Sequence, residues 1–153
     1  MAENTISLSI SIPTDDDGYV LLQCPKCGEY FKLTLADCKS DDIFQIWCPY
    51  CGLVSESYFT DEVKELASTM VKNLAIDLIY TEMKTFERQL NSKYLSFKAG
   101  KKPERDPELP IVSKIDTLEI QTYKCCNKSA KITPSAKIMG TYCPFCGVMN
   151  FGD

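Results

Sequence analysis

Ile6, Leu8, Ile10 and Ile12 alternate with Thr5, Ser7, Ser9 and Ser11. That period of two predicts a strand with one apolar and one polar face. Further on the period changes. Val63, Ala67, Met70, Leu74, Leu78, Met83, Phe86, Leu90, Tyr94 and Phe97 recur at helical spacing and predict one long helix from Asp61 to about Phe97. Thr60 is the expected N-cap, and Asp61 and Glu62 in the first turn suit the positive helix end. No proline or glycine interrupts the stretch, and unbroken it would measure on the order of 55 Å. Asn91-Ser92 is its weakest point. Val71, Ile76 and Ile79 make the first half apolar around much of its circumference, so this half calls for burial. Asn73 and Asp77 break the strict heptad and argue against a simple parallel coiled coil.

From Lys98 to Pro110 the pattern gives way to glycine, prolines and alternating charge, the composition of a linker. Strand character returns from Ile111 to Tyr123, with Ile115, Leu118 and Ile120 among threonines. The segments are therefore residues 1–59 (strand and first cysteine module), 60–97 (helix), 98–110 (linker) and 111–153 (strand and second cysteine module). This predicts a small α+β protein with two cysteine modules flanking a central amphipathic helix.

Nine cysteines and no histidine stand out in a chain of 153 residues. Such usage means a secreted disulfide scaffold or an intracellular metal protein. The N-terminus lacks the basic start and apolar run of a secretory signal, and no stretch matches a membrane span. A cytoplasmic protein without membrane partners is the expectation, and paired thiols there point to metal.

The first module contains Cys24-Pro25-Lys26-Cys27-Gly28 and Cys48-Pro49-Tyr50-Cys51-Gly52. Proline after the first cysteine fixes φ, and glycine after the second permits the positive φ that closes the turn. Two such turns supply Cys24, Cys27, Cys48 and Cys51 to one tetrahedral ion, and four thiolates leave no open position for catalysis. These knuckles, with the strand from Tyr19 and Trp47 beside the second, resemble the zinc-ribbon families and the rubredoxin-like knuckle. The resemblance covers residues 19–59 and implies a structural zinc. Rubredoxins hold iron on similar knuckles with a longer spacing between them, so iron is the minor alternative. Cys38 is left over and is expected to be a small, partly buried loop side chain.

The second module repeats the pattern, since Tyr142-Cys143-Pro144-Phe145-Cys146-Gly147 matches Trp47-Cys48-Pro49-Tyr50-Cys51-Gly52. Its upstream partner is altered to the adjacent pair Cys125-Cys126. Neighbouring side chains in a strand point to opposite faces, so both reach one metal only through a bend, which Asn127 can help to form. Either Cys125, Cys126, Cys143 and Cys146 complete a second four-cysteine site, or one of the adjacent pair ligates with a carboxylate or water, or the metal has been lost. The module is short of apolar residues, which favours a metal staple. Two zinc ions are expected, and the chain resembles a double zinc-ribbon protein.

Formal net charge is −4, and each Zn²⁺ held by four thiolates adds about −2. Residues 1–59 hold nine acids against three basic residues; residues 114–153 hold five lysines against three acids. Only the C-terminal module offers basic residues for nucleic acid, at Lys124, Lys128, Lys131 and Lys137. Tyr30, Phe31, Trp47, Tyr50, Tyr58 and Phe59 suit base stacking, but packing over a small ribbon is the favoured reading. The absence of histidine excludes imidazole-based catalysis, and no phosphate loop is present. Asp15-Asp16-Asp17 and Asp41-Asp42 read as solvated turns. The expected function is a non-enzymatic zinc-binding adaptor or accessory protein acting through a protein partner, or through self-association of the central helix. The alternative is a nucleic-acid-binding or transcription-associated ribbon; a rubredoxin-like electron carrier is third.

Overall fold

The computed structural model describes residues 5–112 and 114–151. They form two compact units: residues 11–62 with 111–151, and residues 63–110 with 5–10.

The first unit holds both cysteine modules. Strands β1 (Tyr19–Gln23) and β2 (Tyr30–Thr34) form one antiparallel hairpin, followed by the short helix α1 (Leu35–Cys38). After the long helix α2 (Asp61–Leu90), strands β3 (Glu119–Tyr123) and β4 (Lys128–Ile132) form a second hairpin, followed by α3 (Pro134–Met139). A small pair, β5 (Thr141–Tyr142) and β6 (Met149–Asn150), completes the unit. The hairpins join through β2 and β4, with Lys32 opposite Lys131 and Leu33 opposite Ala130, in the order β1-β2-β4-β3.

Alternation sorts this sheet into two faces. Leu22, Phe31, Leu33, Ala130, Ile132 and Tyr123 fall on one face and enter the core with Cys24, Cys48 and Cys143. Tyr58 meets Phe31 edge-on, with ring centroids 5.6 Å apart, and its hydroxyl donates to the Ile46 carbonyl at 2.5 Å. Lys32 and Lys131 take the opposite face and are nonetheless buried. Asp15 Oδ2 accepts from both, at 3.2 and 2.7 Å, and Asp17 takes a second bond from Lys131 at 2.7 Å. Burial pushes the Asp15 carboxyl up, but the bonds from Lys131, the Tyr19 N–H and Lys32 outweigh it and hold the group far below the usual carboxylate range. Asp15-Asp16-Asp17 is thus more than the solvated turn expected of it.

In the second unit α2 ends at Leu90, seven residues short of the expected Phe97 and at the Asn91-Ser92 weak point. The Ser92 N–H donates to the Leu95 carbonyl at 2.9 Å and reverses the chain. The stretch read as a linker then runs back along α2. Phe97 meets Phe86 edge-on at 5.7 Å, the Ala99 N–H donates to Glu87, and Lys102 pairs with Asp77 at 2.7 Å. Asn73, almost fully buried, exchanges bonds with the Asp106 backbone: its Nδ2 donates to the carbonyl at 2.9 Å and its Oδ1 accepts from the N–H at 3.0 Å. The polar residues that break the heptad are thus the ones that hold the return segment. The apolar face stays partly open, with Leu78, Ile79 and Phe86 at 47, 60 and 51% exposure.

Two strand expectations need correction. Residues 6–12 form no strand; Thr14 makes a single bridge to Val20, and beyond it the Gln23 N–H is already taken by the Tyr58 carbonyl. Over 111–123, pairing begins only at Glu119, where β4 supplies a partner. Among the described residues no helix is long and apolar enough to cross a membrane.

Candidate metal centres

Three of the four cysteine turns are built alike. The Gly28 N–H donates to the Cys24 carbonyl at 2.9 Å, Gly52 to Cys48 at 2.9 Å and Gly147 to Cys143 at 2.8 Å. All three glycines have φ near +70° to +77°, as positive-φ closure requires. Each turn is closed at its base by a further backbone bond: Cys24 to Glu29, Cys48 to Leu53 and Cys143 to Val148.

The fourth turn is the adjacent pair, and the hairpin registers explain it. Between Gln23 and Tyr30 the β1–β2 loop spans residues 24–29, whereas between Tyr123 and Lys128 the β3–β4 loop spans only 124–127. The loop is shorter by two residues, and its two cysteines stand side by side between Lys124 and Asn127. The Cys126 N–H donates to the Tyr123 carbonyl at 3.3 Å, and Asn127 takes a left-handed φ of 51°. That tight loop provides the bend that lets both cysteines face one point.

The sulfurs of Cys24, Cys27, Cys48 and Cys51 all lie within 4.8 Å of one another, as do those of Cys125, Cys126, Cys143 and Cys146. The Cys24–Cys51 and Cys27–Cys48 separations are 3.8 and 3.6 Å; Cys125–Cys146 is 3.5 Å. A tetrahedral ion with Zn–S bonds of about 2.3 Å has sulfurs about 3.8 Å apart. Both clusters therefore fit a four-thiolate ion, and two such sites are consistent with two ions per chain. Of the three outcomes open for the second module, the arrangement matches the one in which all four cysteines converge. Cys38 stands apart, exposed at the end of α1.

Burial pushes the Cys48 and Cys143 thiols well up, while backbone N–H groups within their turns act in the opposite sense. The Tyr50 N–H lies 3.4 Å from Cys48 Sγ. Burial without metal thus favours the thiol, and a cation that replaces the proton removes that penalty.

The second turns of the two modules are tied to each other. The Trp47 N–H donates to the Pro144 carbonyl at 2.9 Å, and the Tyr142 N–H donates to the Pro49 carbonyl at 2.9 Å. Trp47 and Tyr142 are equivalent in the repeat, as are Pro49 and Pro144, so the exchange is reciprocal. The repeat reaches further than the cysteines. Phe31-Lys32-Leu33-Thr34 and Ala130-Lys131-Ile132-Thr133 each carry a strand into a short helix, and Thr34 and Thr133 each cap that helix. Tyr50 joins the halves as well: its hydroxyl donates to the Tyr30 carbonyl at 2.6 Å and accepts from the Thr133 N–H at 3.2 Å. The uneven charge serves the same junction, since Lys128 pairs with Asp37 at 3.1 Å and Lys131 with Asp15 and Asp17.

The aromatic residues divide. Phe31 and Tyr58 are buried, Tyr30, Trp47 and Tyr50 are half-buried, and Phe59 is about half exposed. Sequence reasoning missed the pairing of Lys32 with Lys131; the shared Lys-aliphatic-Thr pattern was its only signal. The chain matches no family model, no curated protein and no solved structure.

Proposed function

We propose that the protein is a non-enzymatic, zinc-stapled adaptor. One zinc ion is held by Cys24, Cys27, Cys48 and Cys51, and a second by Cys125, Cys126, Cys143 and Cys146. The observation that carries this reading is the convergence of four sulfurs in each cluster at tetrahedral-edge spacing. Four cysteine ligands fill a tetrahedral shell and leave no position for substrate, so the ions act on stability. Partner binding falls to the helical unit, whose Leu78, Ile79, Met83 and Phe86 present an apolar strip flanked by Phe97. An adaptor uses such a strip to receive a complementary apolar surface.

Phosphate binding by the C-terminal lysines is the less favoured reading. Lys128, Lys131 and Lys137 already hold Asp37, Asp15 with Asp17, and Glu119. Metal analysis and a host pull-down test the proposal together. A colourless protein with two zinc ions per chain is expected, together with a captured protein that Leu78→Asp no longer retains at unchanged zinc content. A red, iron-loaded protein would move the assignment to electron transfer. Salt-sensitive retention on DNA at low ionic strength would favour the nucleic-acid reading.

A further inference from the structure

The two hairpins of the sheet are equivalent, but their outer edges are not. On β1 the edge is covered by the chain itself, through the Thr14–Val20 bridge and the Gln23 bond to the Tyr58 carbonyl. The equivalent strand β3 pairs only with β4, and among the described residues no other segment hydrogen-bonds to its outer edge. Ile120 on this edge is 44% exposed. An uncovered edge is a template for one more strand.

The chain also contains a strand-like sequence without a sheet. Residues 5–12 alternate apolar and polar side chains. Residues 5–10 group with the helical unit and Ile12 lies against the core of its own sheet, yet none of them makes a ladder or a backbone hydrogen bond to another described segment. Ile6 and Leu8 are 51 and 43% exposed. Set antiparallel beside β3, this segment would place Leu8 and Ile10 next to Ile120 and its serines beside Glu119 and Gln121. The apolar set then joins the face that Ile120 shares with the aliphatic stems of Lys32 and Lys131.

Covalent reach decides whose segment this is. Residues 5–12 lead into Thr14, which is bonded at the β1 edge, and β3 is the opposite edge of the sheet. From outside β1 to outside β3 is about five strand spacings, or roughly 24 Å. Eight fully extended residues span at most about 28 Å, so crossing would use up nearly all of residues 5–12 and leave almost none of this segment to pair. We infer that residues 5–12 of one copy add to the β3 edge of a second copy, which returns its own segment. The result is a closed, two-fold strand-exchanged dimer with a five-stranded sheet in each half.

Light scattering on the full-length, zinc-loaded protein over a concentration series tests this, with Leu8→Pro and Leu78→Asp alongside. Proline removes an N–H and cannot continue a ladder. The expected result is a dimer whose mass is halved by Leu8→Pro at unchanged zinc content and helicity, while Leu78→Asp leaves it dimeric. A wild type that is monomeric at every concentration overturns the inference. So does a dimer that survives Leu8→Pro, or one that Leu78→Asp dissociates, since the helix face would then be the contact. Should Leu8→Pro fail to fold, a photoreactive benzophenone side chain at position 9 decides the matter in mixed ¹⁴N- and ¹⁵N-labelled protein. Cross-links from one copy to residues 119–123 of the other are expected; cross-links confined to one chain overturn the proposal.

Discussion

Trp47 lies flat against Gly147, so close that a Cβ added to this glycine would stand 2.7 Å from the indole Nε1. Tyr142 treats Gly52 the same way, with ring carbons 2.9–3.0 Å from an added Cβ. The motif aromatic-Cys-Pro-aromatic-Cys-Gly thus works across the repeat: each aromatic residue covers the glycine of the other copy, and each backbone N–H beside it bonds the other copy's proline carbonyl. Glycine serves twice here, for positive φ and for the space the ring occupies.

Gly147→Ala and Gly52→Ala should therefore each cost about 2–4 kcal/mol, the sum of left-handed strain and overpacking. Gly28 has a similar φ but open space around its missing Cβ, so Gly28→Ala should cost only about 1–2 kcal/mol. Denaturant unfolding of the zinc-loaded variants measures the difference. Trp47→Ala combined with Gly147→Ala should recover part of the loss through relief of overpacking, and strict additivity would show that ring and glycine do not interact.

Metal content tests the adjacent pair. Cys125→Ser and Cys126→Ser should each lower the zinc count from two to about one, because a tetrahedral shell that loses one thiolate binds far more weakly. Cys24→Ser or Cys51→Ser should do the same and leave the first module open to protease. Cys38→Ser should keep both ions. Native mass spectrometry reads all five variants.

Zinc affinity should rise with pH. Cys48 and Cys143 have thiols pushed up by burial, so in the metal-free protein they are protonated at neutral pH and zinc must displace those protons. Apparent affinity should climb about tenfold per pH unit for each proton displaced. Competition against a chromophoric chelator at several pH values measures the slope, and a flat profile would mean that the free protein already holds thiolates.

Asp15→Asn should destabilise the sheet by about 3 kcal/mol, because it leaves Lys32 and Lys131 buried with a weakened partner. The sign of the pH dependence follows from the lowered carboxyl. Its contribution is fully present above the unfolded-state value of about 3.9 and is lost only as pH falls below that. The gap between wild type and variant in urea unfolding should accordingly be constant from about pH 6 to 8. Asp16→Asn, whose side chain takes no part in the lysine pairs, should be near neutral.

Asn73→Ala should release the return segment. It removes the amide that bonds the Asp106 backbone and Glu108, at a cost of about 1–3 kcal/mol. Tryptic cleavage after Arg105 should accelerate on the order of tenfold if opening limits cleavage. Zinc content should not change, since Asn73 belongs to the other unit.

Three of the four cysteine turns were legible in the sequence because Cys-Pro-x-Cys-Gly is a local device: proline, glycine and spacing define the turn without help from the rest of the chain. The helix was legible for the same reason, since a period of 3.6 over thirty residues is unambiguous, but it ends at Leu90, before the weak point Asn91-Ser92, and not at the expected Phe97. The adjacent cysteines were not resolved that way. Their convergence depends on a loop of 124–127 rather than six residues, and loop length is fixed by the register of β3 on β4. Residues 6–12 carried as clear an alternation as any strand, yet alternation names a face and not a partner, and the β1 edge beyond Thr14 was already taken by Tyr58. The segment 98–110 read as a linker because its composition cannot form a core. Only the tertiary structure brought its charges to Asp77 and its backbone to Asn73. The sequence determined the Cys-Pro-x-Cys-Gly turns and most of the helix, because each is local. The pairing of β2 with β4, the buried lysines and the reciprocal aromatic–glycine contacts join residues about a hundred positions apart, and such contacts are decided only when two folded surfaces meet.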